Sequence, residues 1–183
     1  VAEIEPEQSI ALCMASGIIS DTLFLQSPTT TTVDRTMLEW LRQRCPVDLD
    51  EFARTFFEIG SALRTSTPDG VVQEDCKEFS ERDIRFSISQ IEETGFDLFW
   101  ERKDELRTAL VEYSIQHKLD FSALLVTDVV SNGSLLLLSR ETEAWEEINY
   151  PRIDPGLYAL KNVVSRKKQL LPLVTQLIQT AMF

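Results

Sequence analysis

Ser165-Arg166-Lys167-Lys168 places three consecutive cations in a chain of 183 residues whose formal net charge is −12. The run stands between the apolar pair Val163-Val164 and Gln169-Leu170-Leu171-Pro172, which reads as the first turn of a closing helix. Two readings are open. One is a solvated helix start. The other is an oxyanion site, because cations at a helix N-terminus oppose the macrodipole and no local acidic residue pairs with them at helical spacing. An anion drawn there would meet helix-start N–H groups and side-chain cations together. Phosphate is the commonest candidate.

Asp21 is the second residue with chemistry in it. It interrupts the apolar stretch Gly17-Ile18-Ile19-Ser20-Asp21-Thr22. A carboxylate in such company is expensive unless it caps, pairs or binds a metal, and an N-cap or a hydrogen bond to Thr22 explains it as readily as a ligand role. The single histidine, His117, falls at the end of an expected helix, where a favourable partner of the dipole is a commoner role than a catalyst. Asp128 sits within the apolar run Leu124–Val130, and a hydrogen bond at a strand end accounts for it at least as well as function does.

These residues need elements to position them. Glu7 to Leu25 is apolar nearly all round, the pattern of a buried helix. Ser27-Pro28-Thr29-Thr30 is a loop, after which Asp34 or a preceding Thr caps a helix carrying Leu38, Trp40 and Leu41. Pro46 ends that helix. Asp48-x-x-Glu51 opens another through Phe52, Phe56, Phe57 and Leu63, and Ser66-Thr67-Pro68-Asp69-Gly70 breaks the chain. The domain boundary is expected in this stretch, dividing the chain into 1–66 and 67–183. Beyond it, Ile84, Phe86 and Ile88 alternate with polar residues as a half-buried strand. Phe99 to Lys118 is a long amphipathic helix. Phe121–Val130 and Ser134–Ser139 form a hairpin across Asn132-Gly133. A short acidic helix over Glu141–Glu147, an edge strand over Leu157–Leu160 and a closing helix over Leu170–Met182 complete an α/β second half.

Composition narrows the function. At 43% hydrophobic the chain builds a proper core. A sequence pI near 4.5 argues against a nucleic-acid partner, which needs an extended basic face. No run is long enough to span a membrane. Cys13, Cys45 and Cys76 are well separated and lack zinc spacing, and they read as free thiols of a cytoplasmic protein. The start, Val1 to Pro6, has no signal-peptide pattern and no initiator Met, as expected of a chain cut from something longer.

Together, Gly17-Ile18-Ile19-Ser20-Asp21-Thr22 with Ser27-Pro28-Thr29, and Ser165-Arg166-Lys167-Lys168-Gln169, resemble the family II (manganese-dependent) inorganic pyrophosphatases of the DHH phosphoesterase superfamily. Asp75-Cys76-Lys77-Glu78-Phe79, Leu125-Val126-Thr127-Asp128-Val129 and the Asn132-Gly133 turn agree, and the resemblance runs from about Glu5 to the end. It implies an α/β fold, with a helical remnant of the metal-binding DHH domain followed by the mixed-sheet DHH-associated C-terminal domain. It implies hydrolysis of pyrophosphate to two phosphates in a cleft between domains, with two Mn²⁺ ions (or Co²⁺ or Mg²⁺) held by Asp and His side chains. Carried over by position, Asp21 matches a metal ligand. Arg166 and Lys167 match the pair that binds the substrate's phosphates, flanked by Ser165 and Lys168.

The departures are equally specific. The family's Asp-His-His signature and its earlier ligands are not in this chain, so the chain alone is expected neither to hold the metal pair nor to hydrolyse pyrophosphate. Where many relatives carry a third substrate-binding Lys, Glu58 stands, and Arg64 is the nearby cation that could replace it. The family commonly forms homodimers, and in some relatives nucleotide-binding CBS domains are inserted upstream. An exopolyphosphatase or prune-like phosphodiesterase shares the Ser-Arg-Lys-Lys ending, and a non-catalytic anion-binding module is the reading from outside enzymology.

Overall fold

The computed structural model describes residues 5–181. Met182, the expected end of the closing helix, lies outside the described residues, as do the first residues of the expected N-terminal domain. The chain divides into two units, Val1–Gly60 and Ser61–Phe183.

The first unit is helical: α1 (Gln8–Thr22), α2 (Thr32–Arg42) and α3 (Leu49–Ile59). Although α1 is apolar nearly all round, it buries one stripe, Ala11, Ala15, Ile19 and Thr22, at the spacing of a single helical face. Ile10 and Met14 are 53% and 48% exposed, which corrects the expectation of a fully buried helix. It stops at Thr22 because Leu23, Phe24 and Leu25 all take left-handed backbone conformations, with φ of 48°, 50° and 68°. The Phe24 N–H then reaches back to Ile19 O and that of Ser27 to Thr22 O, closing the helix end. Each such non-glycine residue costs on the order of 1–2 kcal/mol, so the turn is strained.

Capping in this unit follows the sequence. The Thr31 hydroxyl accepts from Asp34 N while the Asp34 carboxylate accepts from Thr31 N at 2.7 Å, a reciprocal capping box. Asp48 accepts from the N–H groups of Asp50 and Glu51. These hydrogen bonds from helix-start amides hold both carboxyls below the ordinary Asp value.

The second unit opens on two short helices, α4 (Ala62–Thr65) and α5 (Pro68–Gln73). Leu63 therefore belongs to α4 and not to the helix ending at Ile59. The Ser66–Gly70 break is a helix start: Thr67 caps it by accepting from Gly70 N, and Pro68 takes the first helical turn, where a missing N–H costs nothing. Strands β1 (Cys76–Glu81), β2 (Ile84–Glu93), β3 (Phe121–Asp128), β4 (Gly133–Leu138), β5 (Arg152–Asp154) and β6 (Leu157–Lys161) form one sheet in the order β1-β2-β3-β4-β6-β5. The pair β2 and β3 is parallel, joined by α6 (Asp97–His117), and the other neighbours are antiparallel. This is the mixed α/β sheet that the resemblance implied.

Three local differences from the sequence reading have plain causes. An edge strand, β1, buries none of its side chains fully and shows no apolar alternation. The strand at Leu157–Leu160 is interior, between β4 and β5; β5, in the polar segment after Pro151, is the edge. The acidic helix is a single 3₁₀ stretch, Glu143–Glu147. On one face of the sheet Phe86, Ile88, Phe121, Leu125 and Leu136 pack on Trp145 and on α7 (Leu171–Ala181). On the other, Leu124, Val126, Leu135 and Leu137 pack on α6 through Phe99, Leu106 and Leu110. Burial on both faces explains why β3 reads as one apolar run.

Candidate functional site

The chain leaves β6 at Lys161 and enters the segment that carries the cations. In the sheet Lys161 pairs with Gly133, Gly133 with Asp128, and Asp128 with Glu93. The segment thus starts at the carboxyl end of the parallel strands β2 and β3, the end at which open α/β sheets hold their ligands. It then crosses the sheet. Ser134 Oγ on β4 donates to Val163 O at 2.5 Å, and Gln90 on β2 takes the next contacts. The Gln90 amide donates to Val164 O at 3.4 Å, and its carbonyl accepts from Arg166 N at 3.0 Å. Gln169 staples the loop from the other side: Oε1 accepts from Val164 N at 2.9 Å and Ser165 N at 3.1 Å, and Nε2 donates to Asn162 O at 2.7 Å.

Arg166–Leu170 is a π-helical turn in front of α7, with Leu170 N donating to Ser165 O at 3.1 Å. Such wide turns are rare and concentrate at functional sites. The Ser165 hydroxyl caps it by accepting from Lys168 N at 3.3 Å. Backbone donors at this helix start are therefore largely spoken for, with Arg166 N on Gln90 and Lys168 N on Ser165. The sequence reading had an anion meeting N–H groups and cations together. In the fold the side chains are the available part.

Those side chains differ sharply. Arg166 is 7% exposed. Its Nη1 donates to Asp75 O and to Ile88 O at 3.1 Å, and its Nη2 to Asp75 Oδ1 at 3.0 Å. Among the described residues the Nε–H has no acceptor. Lys167 and Lys168 are exposed and make no ion pair among the described residues. Burial raises Glu92 above the ordinary carboxylate value; nearby Asp75 pushes it further up, while Arg166 and a hydrogen bond from Gln90 pull the other way. Sequence reasoning missed Gln90 and Asp75 as partners of the motif. Asp75 stood in a quoted motif without a role, and Gln90 showed only as a polar residue late in β2.

Asp21 lies in the last turn of α1, in the first unit, and is exposed. Neither a cap nor a bond to Thr22 accounts for it: Thr22 Oγ1 donates to Ile18 O at 2.6 Å and accepts from Leu25 N at 2.9 Å. Among the described residues no group of three or more His, Cys, Asp or Glu side chains could hold a metal ion. Glu58 is exposed near the end of α3, and Arg64 is exposed in α4 of the second unit. His117 is the last residue of α6, its Nδ1 at 2.6 Å from Glu78 and its ring stacked on Tyr113. Asp128 ends β3 by accepting from the N–H groups of Gly95, Val130 and Ser131, a structural role. Glu93, 3% exposed beside it in register, accepts from Ser61 Oγ and Leu63 N and ties the start of the second unit to β2. The division of the chain at Gly60–Ser61 falls immediately before these bonds.

The three cysteines are free thiols, and no described helix is long and apolar enough to cross a membrane. A protein of Staphylococcus haemolyticus named "Probable manganese-dependent inorganic pyrophosphatase" is 34% identical over 94% of this chain and 56% of its own length. One of the same name from Staphylococcus epidermidis is 33% identical over 96% of the chain and 57% of its length. A solved structure described as "Methanococcus jannaschii putative family II inorganic pyrophosphatase" superposes with a TM-score of 0.78 at 26% identity, covering 97% of this chain and 58% of that one. The chain thus spans little more than half the length of the relatives it matches. The DHHA2 domain matches residues 54–177, which is most of the chain, and the protein therefore belongs to the DHHA2 domain family.

Proposed function

We propose that this chain is the C-terminal part of a manganese-dependent inorganic pyrophosphatase, and that Ser165, Arg166, Lys167 and Lys168 bind the phosphates of pyrophosphate. The names of the relatives support the activity. The observation that carries the residue assignment is the build of the basic segment: a π-helical turn stapled by Gln90 and Gln169 that presents two exposed, unpaired lysines beside a buried arginine. In a chain of net charge −12 this concentration of cations is matched to a small, highly charged anion.

In this reading the second unit supplies electrostatics. Lys167 and Lys168 offset negative charge on the phosphates, and Arg166 offers directed N–H donors to phosphate oxygens. The first unit supplies Asp21 as one carboxylate ligand of a Mn²⁺ ion, which would activate water for attack on phosphorus when bound. One exposed carboxylate is not a metal site, and the described residues do not fit the ion by themselves. The reading assigns the other ligands to protein outside these residues. It carries with it a cytoplasmic, homodimeric whole protein, a state that light scattering on the full-length protein tests.

Calorimetric titration of pyrophosphate and of phosphate tests the assignment. The chain is expected to bind pyrophosphate in a salt-sensitive way, and the Arg166→Ala, Lys167→Ala double variant to lose that binding. Equal binding by the two proteins would refute the clamp. Manganese-dependent phosphate release by this chain alone would refute the division of labour.

A further inference from the structure

We propose that Asp75 and Gln90 are positioning residues of this clamp, holding the Arg166 guanidinium so that its Nε edge is the face left for an oxyanion. The inference rests on the clamp reading above and deepens it. A guanidinium has two edges that can meet a pair of oxygens: the end between the two Nη atoms, and the side formed by Nε and the outer hydrogen of Nη2. Asp75 fills the first. Its backbone carbonyl takes Nη1 and its Oδ1 takes Nη2, while Ile88 O takes the remaining Nη1 hydrogen. The side edge then consists of two parallel N–H bonds, with no acceptor on Nε among the described residues, the fork that grips phosphate in a bidentate way.

Planarity makes this a positioning device. Fixing one edge of a rigid guanidinium fixes the direction of the other, so Asp75 aims donors that it does not touch. Gln90 does the same for the backbone. It holds Val164 O and Arg166 N, on either side of Ser165, to the middle of β2. Its own N–H donates to the Asp75 carbonyl at 3.3 Å, so the two positioning residues are bonded to each other. Lys167 and Lys168 therefore project from a backbone with little freedom to shift. Asp75 also cancels much of the Arg166 charge. The arginine's part in anion binding is consequently geometric, and net attraction comes from the two lysines.

That division gives opposite signs to two explanations of Asp75. As a charge, Asp75 opposes any anion, and its removal tightens binding. As a positioning residue, its removal frees the fork and weakens binding. Pyrophosphate is titrated, at fixed ionic strength, into the unaltered chain and into Asp75→Ala, Asp75→Asn, Gln90→Ala and Arg166→Lys, with circular dichroism on each. Asp75→Ala and Gln90→Ala are expected to weaken binding by about tenfold, the scale of one charge-assisted hydrogen bond. Asp75→Asn keeps an acceptor for Nη2 and is expected to bind at least as tightly as the unaltered chain. Arg166→Lys keeps the charge, loses the fork, and is expected to weaken with Asp75→Ala.

Tighter or unchanged binding by Asp75→Ala overturns the proposal while the clamp stands. If that variant does not fold, Arg166→Lys decides, because retained affinity there means that charge without a fork suffices. Absence of binding by the unaltered chain, or its persistence after Arg166→Ala, Lys167→Ala, removes the clamp and this inference with it.

Discussion

Arg166 in the second unit is 7% exposed and its guanidinium is held by Asp75 and Ile88; Asp21 in the first unit is exposed, in a helix that ends on three left-handed residues. The proposed function gives chemistry to both residues, yet they are prepared differently. A buried charge has to be paired and hydrogen-bonded to exist at all, so the contacts that keep Arg166 folded also orient it. An exposed carboxylate carries no such requirement. Asp21 belongs to the last turn of α1, just before the strained Leu23–Leu25 turn that ends it. One half of the proposed chemistry is prebuilt by this chain, and the other half contributes a single donor.

The contrast can be broken by mutation, and the largest effect is expected at Arg166. Arg166→Ala removes the guanidinium's bonds to Asp75 O, Asp75 Oδ1 and Ile88 O and leaves the Asp75 carbonyl with the Gln90 N–H alone. We expect a loss of about 2–4 kcal/mol in urea denaturation of the second unit, below the upper range for buried ion pairs because Asp75 is half-exposed. Glu93→Ala comes next. It strands the Ser61 hydroxyl and the Leu63 N–H, and a loss of about 1–3 kcal/mol should appear together with faster amide exchange in α4. If Asp21→Ala moves stability by more than about 0.5 kcal/mol, the account of Asp21 as a free surface carboxylate fails.

The helix-cap carboxyls of the first unit and the buried glutamates of β2 should answer pH with opposite signs. Hydrogen bonds from Asp50 and Glu51 lower Asp48, and those from Thr31 lower Asp34, below the ordinary 3.8. Their stabilisation is present above the unfolded value and disappears as pH falls through the folded one. Glu92 and Glu93 are raised by burial above the ordinary 4.5. Their contribution is present below the unfolded value and is lost as pH rises through the folded values. Hydrogen exchange followed peptide by peptide should show the starts of α2 and α3 loosening toward acid, while the end of β2 and the α4 segment tied to Glu93 lose protection as pH climbs from about 4.5. A Glu93→Gln variant should flatten the second trend without touching the first. Parallel behaviour of both sets would dissolve the comparison.

Much of this was legible in the residues. Capping at Thr31-x-x-Asp34 and Asp48, the Asn132-Gly133 hairpin, the long helix closed by His117 and the apolar run of β3 all rest on interactions within a few positions, where side-chain type and spacing suffice. Strand β1 was not legible, because an exposed edge strand has no apolar period to display. The extent of burial on α1 was not legible either, since composition says which residues can be buried and not which face finds a partner.

The sequence by itself determined that three cations stand together before a closing helix in an acidic chain, and that an aspartate interrupts an apolar stretch far upstream. Only the tertiary structure decided that Arg166 is held by Asp75, 91 positions away, that Gln90, 76 positions away, holds its amide, and that Lys167 and Lys168 are the exposed cations of the run. The physical reason lies in how partners are chosen. Local caps and turns are made within a segment whose geometry its own residues dictate, whereas a buried guanidinium takes whatever acceptors the folded sheet brings beside it.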